Sequence, residues 1–371
     1  MKRRDFIAGV GAGAAVVAMT GCGQKEGASG QGEGSGQGRV FDWKMVTTWP
    51  ANFPGLGTGA ESLARMIERT SGGRIRIRVY GAGELVPALE VFDAVRNGTA
   101  QMGHGAAYYW KGKHEATQFF AATPFGMNAQ ERNAWMYYGG GLRLWQDLYK
   151  EKFGLVPHPA GNTGIQMGGW FNREINRLAD LQGLKMRIPG LGGEVLRRAG
   201  GTPVNLPGGE IFTALKTGSI DATEWVGPYN DLAFGLYQAA RYYYYPGWHE
   251  PGSTMEAIFN EAALNELPDD LRQLVFTACR AVNDDMLAEF TARNNEALAV
   301  LTEDHGVELR LFPDEVLRRL QELSLEVIGE LAAADPYVQE VWASQQAFLK
   351  QARAWHDVSE LAYYRARELQ T

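Results

Sequence analysis

Cysteine is nearly missing. Among 371 residues only Cys22 and Cys279 occur, too few for a disulfide framework or a four-thiolate metal site. The six histidines, His104, His114, His158, His249, His305 and His356, include no pair four apart, so a helical zinc motif is missing as well. No segment matches the Gly-x-x-x-x-Gly-Lys-Ser/Thr phosphate loop or the Gly-x-Ser-x-Gly nucleophile elbow, which removes the usual support for an NTPase or a hydrolase. Basic residues number 36 against 43 acidic ones, a net charge of -7. With no basic excess to neutralise phosphates, a nucleic-acid partner is excluded as an expectation. No apolar run reaches the ~20 residues that span a bilayer as a helix. No segment repeats at a fixed period.

What is abundant is apolar material: 45% hydrophobic and 11% aromatic residues are enough for two cores. Ahead of them stands an address. Lys2-Arg3-Arg4-Asp5-Phe6-Ile7 puts positive charge before the weakly apolar run Ala8 to Met19, the pattern of an export signal over residues 1–21. The Arg3-Arg4 pair followed by Phe6 resembles a twin-arginine signal, and Met19-Thr20-Gly21-Cys22 resembles the lipobox of bacterial lipoproteins. Residues 22–39 are rich in Gly, Ser and Gln, the composition of a flexible tether. The expected location is periplasmic, with a lipid anchor at Cys22. The competing reading is an uncleaved N-terminal anchor with Cys22 incidental. Both place the folded part outside the cytoplasm, in a chain whose acidity gives no general help in binding an anion.

Strand and helix patterns alternate along the rest. Asp42 to Trp49 reads as a strand and Gly59 to Thr70 as a helix stopped by Gly72-Gly73. Arg74 to Tyr80 alternates basic and apolar residues, as a strand with one wet face does. A helix over Leu85 to Asn97, capped by Gly98, leads to a small-residue strand over Gln101 to Ala107. This β-α-β-α-β order implies a mostly parallel sheet with helices on its faces. A long helical region over 128–151 separates it from a second α/β unit. There the strands are 155–159, 165–171, 185–188, 202–206 and 220–225, with helices near 191–199 and 208–217. A crossing strand at 255–260, a long amphipathic helix at 268–303 and a strand at 307–312 follow, and beyond Pro313 the pattern is helical. Asp335-Pro336 starts a helix whose Val338, Val341, Phe348, Ala352 and Trp355 fall near a 3.5-residue seam, ready for its own domain or for a partner helix. Cys279, inside the long helix, reads as plain core.

One glycine cluster, Gly55-Leu56-Gly57-Thr58-Gly59, follows a strand and precedes a helix, which suggests a dinucleotide site. Its spacing departs from that fingerprint, and Arg74 to Tyr80 offers no strand-end acid for a ribose. Three other segments place polar groups at strand ends, where open α/β sheets bind ligands. Arg187 leaves a strand just before Pro189-Gly190, poised either to clamp a carboxylate with two parallel hydrogen bonds or to form an internal salt bridge. Glu224 and Trp225 end another strand before Gly227-Pro228, and Glu250 sits among aromatics in Tyr244 to Gly252. Phe53, Tyr108, Trp110, Trp225 and Trp248 are aromatics that either wall a cleft or fill a core.

Five stretches together resemble a known family. They are Trp49 to Gly57 (WPANFPGLG), Gly105 to Lys113 (GAAYYWKGK), Gly164 to Phe171 (GIQMGGWF), Arg187 to Gly190 (RIPG) and Asp221 to Pro228 (DATEWVGP). In this order they resemble the extracytoplasmic solute receptor of tripartite ATP-independent periplasmic (TRAP) transporters, the DctP-like family, and within it the 2-oxo acid and lactate-binding branch. The resemblance spans about residues 40 to 370. It implies an α/β, two-domain fold of the periplasmic-binding-protein kind, with a ligand cleft between the domains and a long C-terminal helical extension. Expected boundaries are 40–163 plus 250–300 for the first domain, 164–249 plus 301–335 for the second, and 336–371 for the C-terminal helices.

The resemblance further implies a receptor that captures a small 2-oxo or 2-hydroxy monocarboxylate together with a sodium or calcium ion and delivers it to the TRAP permease. Arg187 corresponds to the arginine that holds the ligand carboxylate. Gln166, Glu224, the Trp225 carbonyl and Glu250 correspond to groups that hold the metal ion, Gln166 and Trp225 also bordering the ligand, and Tyr108 and Asn162 are direct ligand contacts. The C-terminal helix is implied in a homodimer. The lipobox departs from the family, whose periplasmic receptors are usually soluble. The chemistry is consistent with this set: two close carboxylates repel and take up a proton unless a hard cation with oxygen ligands sits between them. Two other functions compete, an exported oxidoreductase with a nucleotide or flavin at Gly55 to Gly59, and a structural lipoprotein with no small ligand.

Overall fold

A computed structural model describes residues 39–370, which form one compact unit. The export signal at 1–21, Cys22 and the tether as far as Gly38 lie outside the described residues. The strands are β1 (Phe41–Thr47), β2 (Ile75–Tyr80), β3 (Met102–Gly105), β4 (Leu155–Asn162), β5 (Gly169–Phe171), β6 (Lys185–Arg187), β7 (Thr202–Val204), β8 (Ala222–Thr223), β9 (Tyr242–Tyr245), β10 (Thr254–Asn260) and β11 (Glu308–Leu311). They make two mixed sheets, β2-β1-β3-β10-β4 and β11-β9-β5-β8-β6-β7.

The chain passes between the sheets three times: at 163–168, at 246–253, and where the long helix Asp269–Ala299 leads on to β11. That helix packs on β4 and on the helix Leu56–Thr70, burying Val275, Cys279 and Val282 against Leu63, Ile67 and Ala257. The second sheet has its own core, where Met186, Ala222 and Tyr244 meet Val195 of the helix Gly190–Arg198 and Leu320 of the helix Asp314–Ala334. A third cluster holds Trp49, Phe53 and Tyr108 from the first-sheet side together with Trp225 and Val226 from the second.

Several expected elements differ, for local reasons. The helix expected over 85–97 is a short 3₁₀ turn, Ala88–Glu90, and a helix, Val91–Arg96, because Pro87 holds the chain before it extended. The region 128–151 is two helices, Ala129–Tyr138 and Gly141–Phe153, parted where Gly140 turns left-handed at φ 88. Only Gly169–Phe171 of 165–171 and Ala222–Thr223 of 220–225 pair as strand, since the flanking residues leave their sheet to build the site. β9, a run of four tyrosines, has no polar alternation to announce it. In the tail helix Pro336–His356, Val338, Val341 and Gln345 are buried while Trp355 is 64% exposed, so the seam covers the chain's own surface at its start and faces outward at its end. No helix among the described residues is long and apolar enough to cross a membrane.

Candidate functional site

Parallel neighbours β6 and β8 end side by side, with Arg187 opposite Thr223, and the Glu224 N–H donates to the Arg187 carbonyl at 3.1 Å. This register brings Arg187 and Glu224, 37 residues apart, to one spot at the carboxyl edge of the sheet. Both side chains are buried, and the guanidinium Nη1 lies on Glu224 Oε1. The other donors are also engaged: Nε reaches the Leu206 carbonyl at 3.1 Å and Nη2 the Tyr109 hydroxyl at 3.2 Å. The Trp225 ring covers the guanidinium, its centroid 5.1 Å from Cζ. Burial works against the charge of Arg187, but Glu224 and Tyr109 outweigh it and raise its pKa.

The other half of the site comes from the two crossing segments 163–168 and 246–253. They run together: the Gln166 N–H donates to the Glu250 carbonyl at 3.2 Å, the Gly247 N–H to the Gln166 carbonyl at 3.0 Å, and the Thr163 N–H to the Ser253 carbonyl at 3.1 Å. Side chains repeat the pairing. Gln166 Nε2 donates to Glu250 Oε2 at 2.9 Å, and Ser253 Oγ donates to the same oxygen. His249 Nε2 lies 3.4 Å from Glu224 Oε2, so Glu224, His249 and Glu250 each offer an atom within 4.8 Å of the others. Burial and the repulsion of Glu224 push the Glu250 carboxyl up to about 7.

This donor set fits a hard cation. Two buried carboxylates lie close together, burial and then the charge of Glu224 pushing the Glu250 carboxyl up, and the buried Gln166 Oε1 has no hydrogen-bond partner. Asn162 Nδ2 and Trp225 Nε1 are likewise buried without partners, which supplies donors for an anion beside the cation.

Of the residues expected from sequence, Arg187, Glu224, Gln166 and Glu250 are thus assembled, with Trp225 against Arg187. Tyr108 is buried beside them: burial first, then the charge of Glu250, pushes its phenol well up. Gly190, at φ 60, lets Tyr108 pack on the start of its helix, where an added Cβ would stand 3.0 Å from Tyr108 Cβ. Asn162 ends β4, turning its Oδ1 to the Gly164 N–H at 2.9 Å. Tyr109, Thr163, His249 and Ser253 were not anticipated. Their only sequence signal is adjacency to Tyr108, Gln166 and Glu250.

Asp231, also unforeseen, fixes the Glu224 to Gly227 turn by accepting from the Val226 N–H at 3.3 Å, Trp170 Nε1 at 2.9 Å and Tyr243 OH at 2.7 Å. Of the five aromatics left open between cleft wall and core, two serve cores. Trp110 donates to Glu256 within the first-sheet side, and Trp248 stacks on Phe125 in the second-sheet core.

The glycine cluster at 55–59 offers no nucleotide cradle. The helix Leu56–Thr70 starts inside it, and its glycines are filled by protein: a Cβ on Gly55 would stand 2.8 Å from the Phe290 ring, and one on Gly57 2.6 Å from the Pro50 carbonyl. These glycines permit close packing on the helix Asp269–Ala299, which removes the basis of the oxidoreductase reading.

Known proteins are similar to this chain in sequence and fold. The family model DctP, bacterial extracellular solute-binding protein, family 7, matches residues 45–335. A monocarboxylate 2-oxoacid-binding periplasmic protein of Nostoc sp. is 44% identical over 365 residues, 98% of this chain and 98% of its own. The crystal structure of a TRAP periplasmic solute binding protein from Colwellia psychrerythraea, with bound calcium and pyruvate, matches with a TM-score of 0.86 at 44% identity, over 88% of this chain and 100% of that one. Another from Pseudoalteromonas atlantica, with bound sodium and pyruvate, matches with a TM-score of 0.86 at 42% identity, over 88% and 99%. The chain belongs to the DctP family of bacterial extracellular solute-binding proteins, receptors for TRAP transport that work outside the cytoplasm, and not to a family of enzymes.

Proposed function

We propose that this protein captures a small 2-oxo or 2-hydroxy monocarboxylate of the pyruvate or lactate type, together with a cation, and hands it to a TRAP permease. The observation that carries the reading is the buried Arg187 guanidinium set against the Glu224, His249 and Glu250 cluster where two crossing segments meet. The relatives that bind pyruvate or 2-oxo acids support it. Gln166, Glu224, Glu250 and the Trp225 carbonyl would hold a sodium or calcium ion, which supplies positive charge for the acid's carboxylate and 2-oxo or 2-hydroxy oxygen. Arg187 exchanges its contact with Glu224 for the acid's carboxylate, keeping Tyr109 and Leu206 as anchors. Tyr108, Asn162 and Trp225 supply further contacts to the acid, by hydroxyl, amide and indole N–H.

The two sheets are read as the two lobes, 40–163 plus 250–300 and 164–249 plus 301–335. Crossing segments that carry site residues give a simple reason for closure on the ligand: Gln166 and Glu250 stand at the hinge itself. Residues 336–371 are read as a dimer contact, supported by the outward Trp355, Val358, Tyr363 and Tyr364 at the end of the tail. Cys22 is read as the lipidated first residue after export, on the strength of Met19 to Cys22.

Native mass spectrometry and calorimetry test these points together. Pyruvate titrated into the purified protein should bind one per chain with one cation, and lose most of its affinity after chelation in sodium-free buffer. Binding that survives chelation unchanged removes the cation, and no binding of pyruvate or lactate removes the receptor. The same spectra report subunit count and the mass at Cys22, where a monomer or a bare thiol would refute the corresponding reading.

A further inference from the structure

The turn after β1 reaches across to the second-sheet side in a way that the proposed ligand set does not use. Asn52, left-handed at φ 59, and Gly55, at φ 70, bend Pro50 to Gly55 into a tight projection, closed by the Phe53 N–H on the Pro50 carbonyl at 3.2 Å. At its tip Phe53 packs against two aromatics, Trp225 and Phe234, that come from the second-sheet side and touch one another. Its ring lies 4.2 Å from that of Phe234, interplanar angle 30°, and meets Trp225 edge-on at 6.2 Å. Asn230, fully buried, donates from Nδ2 to the Pro54 carbonyl at 2.9 Å and fixes the turn in that position.

Trp225 is hemmed in by this arrangement, its indole N–H left without a partner. Trp49 meets it edge-on at 6.2 Å, Phe234 lies 5.1 Å away, and Gly208 leaves no room behind, since a Cβ there would stand 2.6 Å from Trp225 Cη2. Its remaining face lies against Arg187. A ring held by close-packed neighbours cannot retreat without opening a cavity, so it limits the space beside the guanidinium.

We propose that Phe53 sets the length of acid the site accepts, by packing on Phe234 and against Trp225 and so holding the Trp225 ring against Arg187. The proposal rests on the reading of Arg187 as the carboxylate holder. Shortening Phe53 gives Trp225 somewhere to move, and an acid with a longer tail gains the space.

The test is calorimetric titration of wild type, Phe53→Ala and Phe53→Leu with pyruvate, 2-oxobutyrate and 2-oxovalerate in the presence of calcium. Wild type should favour pyruvate, and Phe53→Ala should shift the ratio of 2-oxovalerate to pyruvate affinity by about tenfold toward the longer acid. Phe53→Leu should shift it less, in the same direction, and carries the test alone if the alanine variant does not fold. A merely structural role would lower all three affinities together, so an unchanged ratio in a folded variant that still binds pyruvate overturns the assignment of Phe53. Wild-type protein that binds none of the three acids overturns the receptor reading, and this proposal with it.

Discussion

Arg187 and Glu224 form an ion pair with both side chains 1% exposed, so neither charge has water to fall back on. A buried pair of this kind contributes little net stability but is costly to break from one side. On the proposed reading a ligand carboxylate would take the place of Glu224 on the guanidinium, offering it the same chemistry.

Arg187→Lys should keep the charge and lose the fork that serves Glu224, Tyr109 and Leu206 at once. Pyruvate affinity should fall about tenfold to a hundredfold by calorimetry. Arg187→Ala, which leaves Glu224 buried without a counter-charge, should in addition destabilise the fold by about 3–5 kcal/mol in denaturant titration. A lysine variant with wild-type affinity would rule out a two-bonded carboxylate at this position.

Glu256 on β10 is buried with two donors, Trp110 Nε1 and Tyr149 OH, and burial pushes its carboxyl up to about 8 from the usual 4.5. Between those two values the folded chain holds a proton that the unfolded chain has released, so this group lowers stability as pH rises from about 4.5 to about 8. Glu256→Gln keeps an acceptor and has no charge to bury. Its melting temperature should rise relative to wild type as pH increases over that window, the gap levelling off above it. Parallel melting curves from pH 5 to about 8.5 would contradict a protonated Glu256.

Gly247→Ala should disturb the site through the backbone alone. An added Cβ would run into the Gln166 carbonyl, the same atom that accepts from the Gly247 N–H. Overpacking of this kind costs about 1–3 kcal/mol, and here it also displaces Gln166 from Glu250. Thermal melts and pyruvate titration should both show a loss. Gly209→Ala is the matching control: nothing stands within 4 Å of its Cβ and it lies inside the helix Gly208–Lys216, so it should be neutral or stabilising by up to about 1 kcal/mol. Equal behaviour of the two variants would show that the crowding at Gly247 is not felt.

Much of the alternation was legible. Arg74 to Tyr80 showed β2 by its period of two, and Gly98 punctuates the chain as a left-handed glycine does. Arg187, Glu224 and Glu250 stood out because each is a charged residue next to a Pro-Gly or Gly-Pro turn at a strand end, a place where a solvated surface group has no need of buried neighbours. His249, Tyr109 and Asp231 did not stand out. Each is one ordinary residue in an apolar stretch, and its importance comes from what lies across the fold: Glu224 for His249, Arg187 for Tyr109, and Trp170 with Tyr243 for Asp231.

The sequence by itself determined the local matters: an α/β alternation and an acidic chain without zinc, phosphate-loop or nucleophile motifs. These depend on short-range sterics, periodicity and charge count, which neighbouring residues carry among themselves. Only the tertiary structure decided which carboxylate faces Arg187, that the two crossing segments place Gln166 against Glu250, and that Phe53 meets Phe234 and Asn230 meets Pro54 across the two sheets. Such contacts join residues far apart in the chain, and their energies exist only when packing excludes water and brings the groups within a few ångströms.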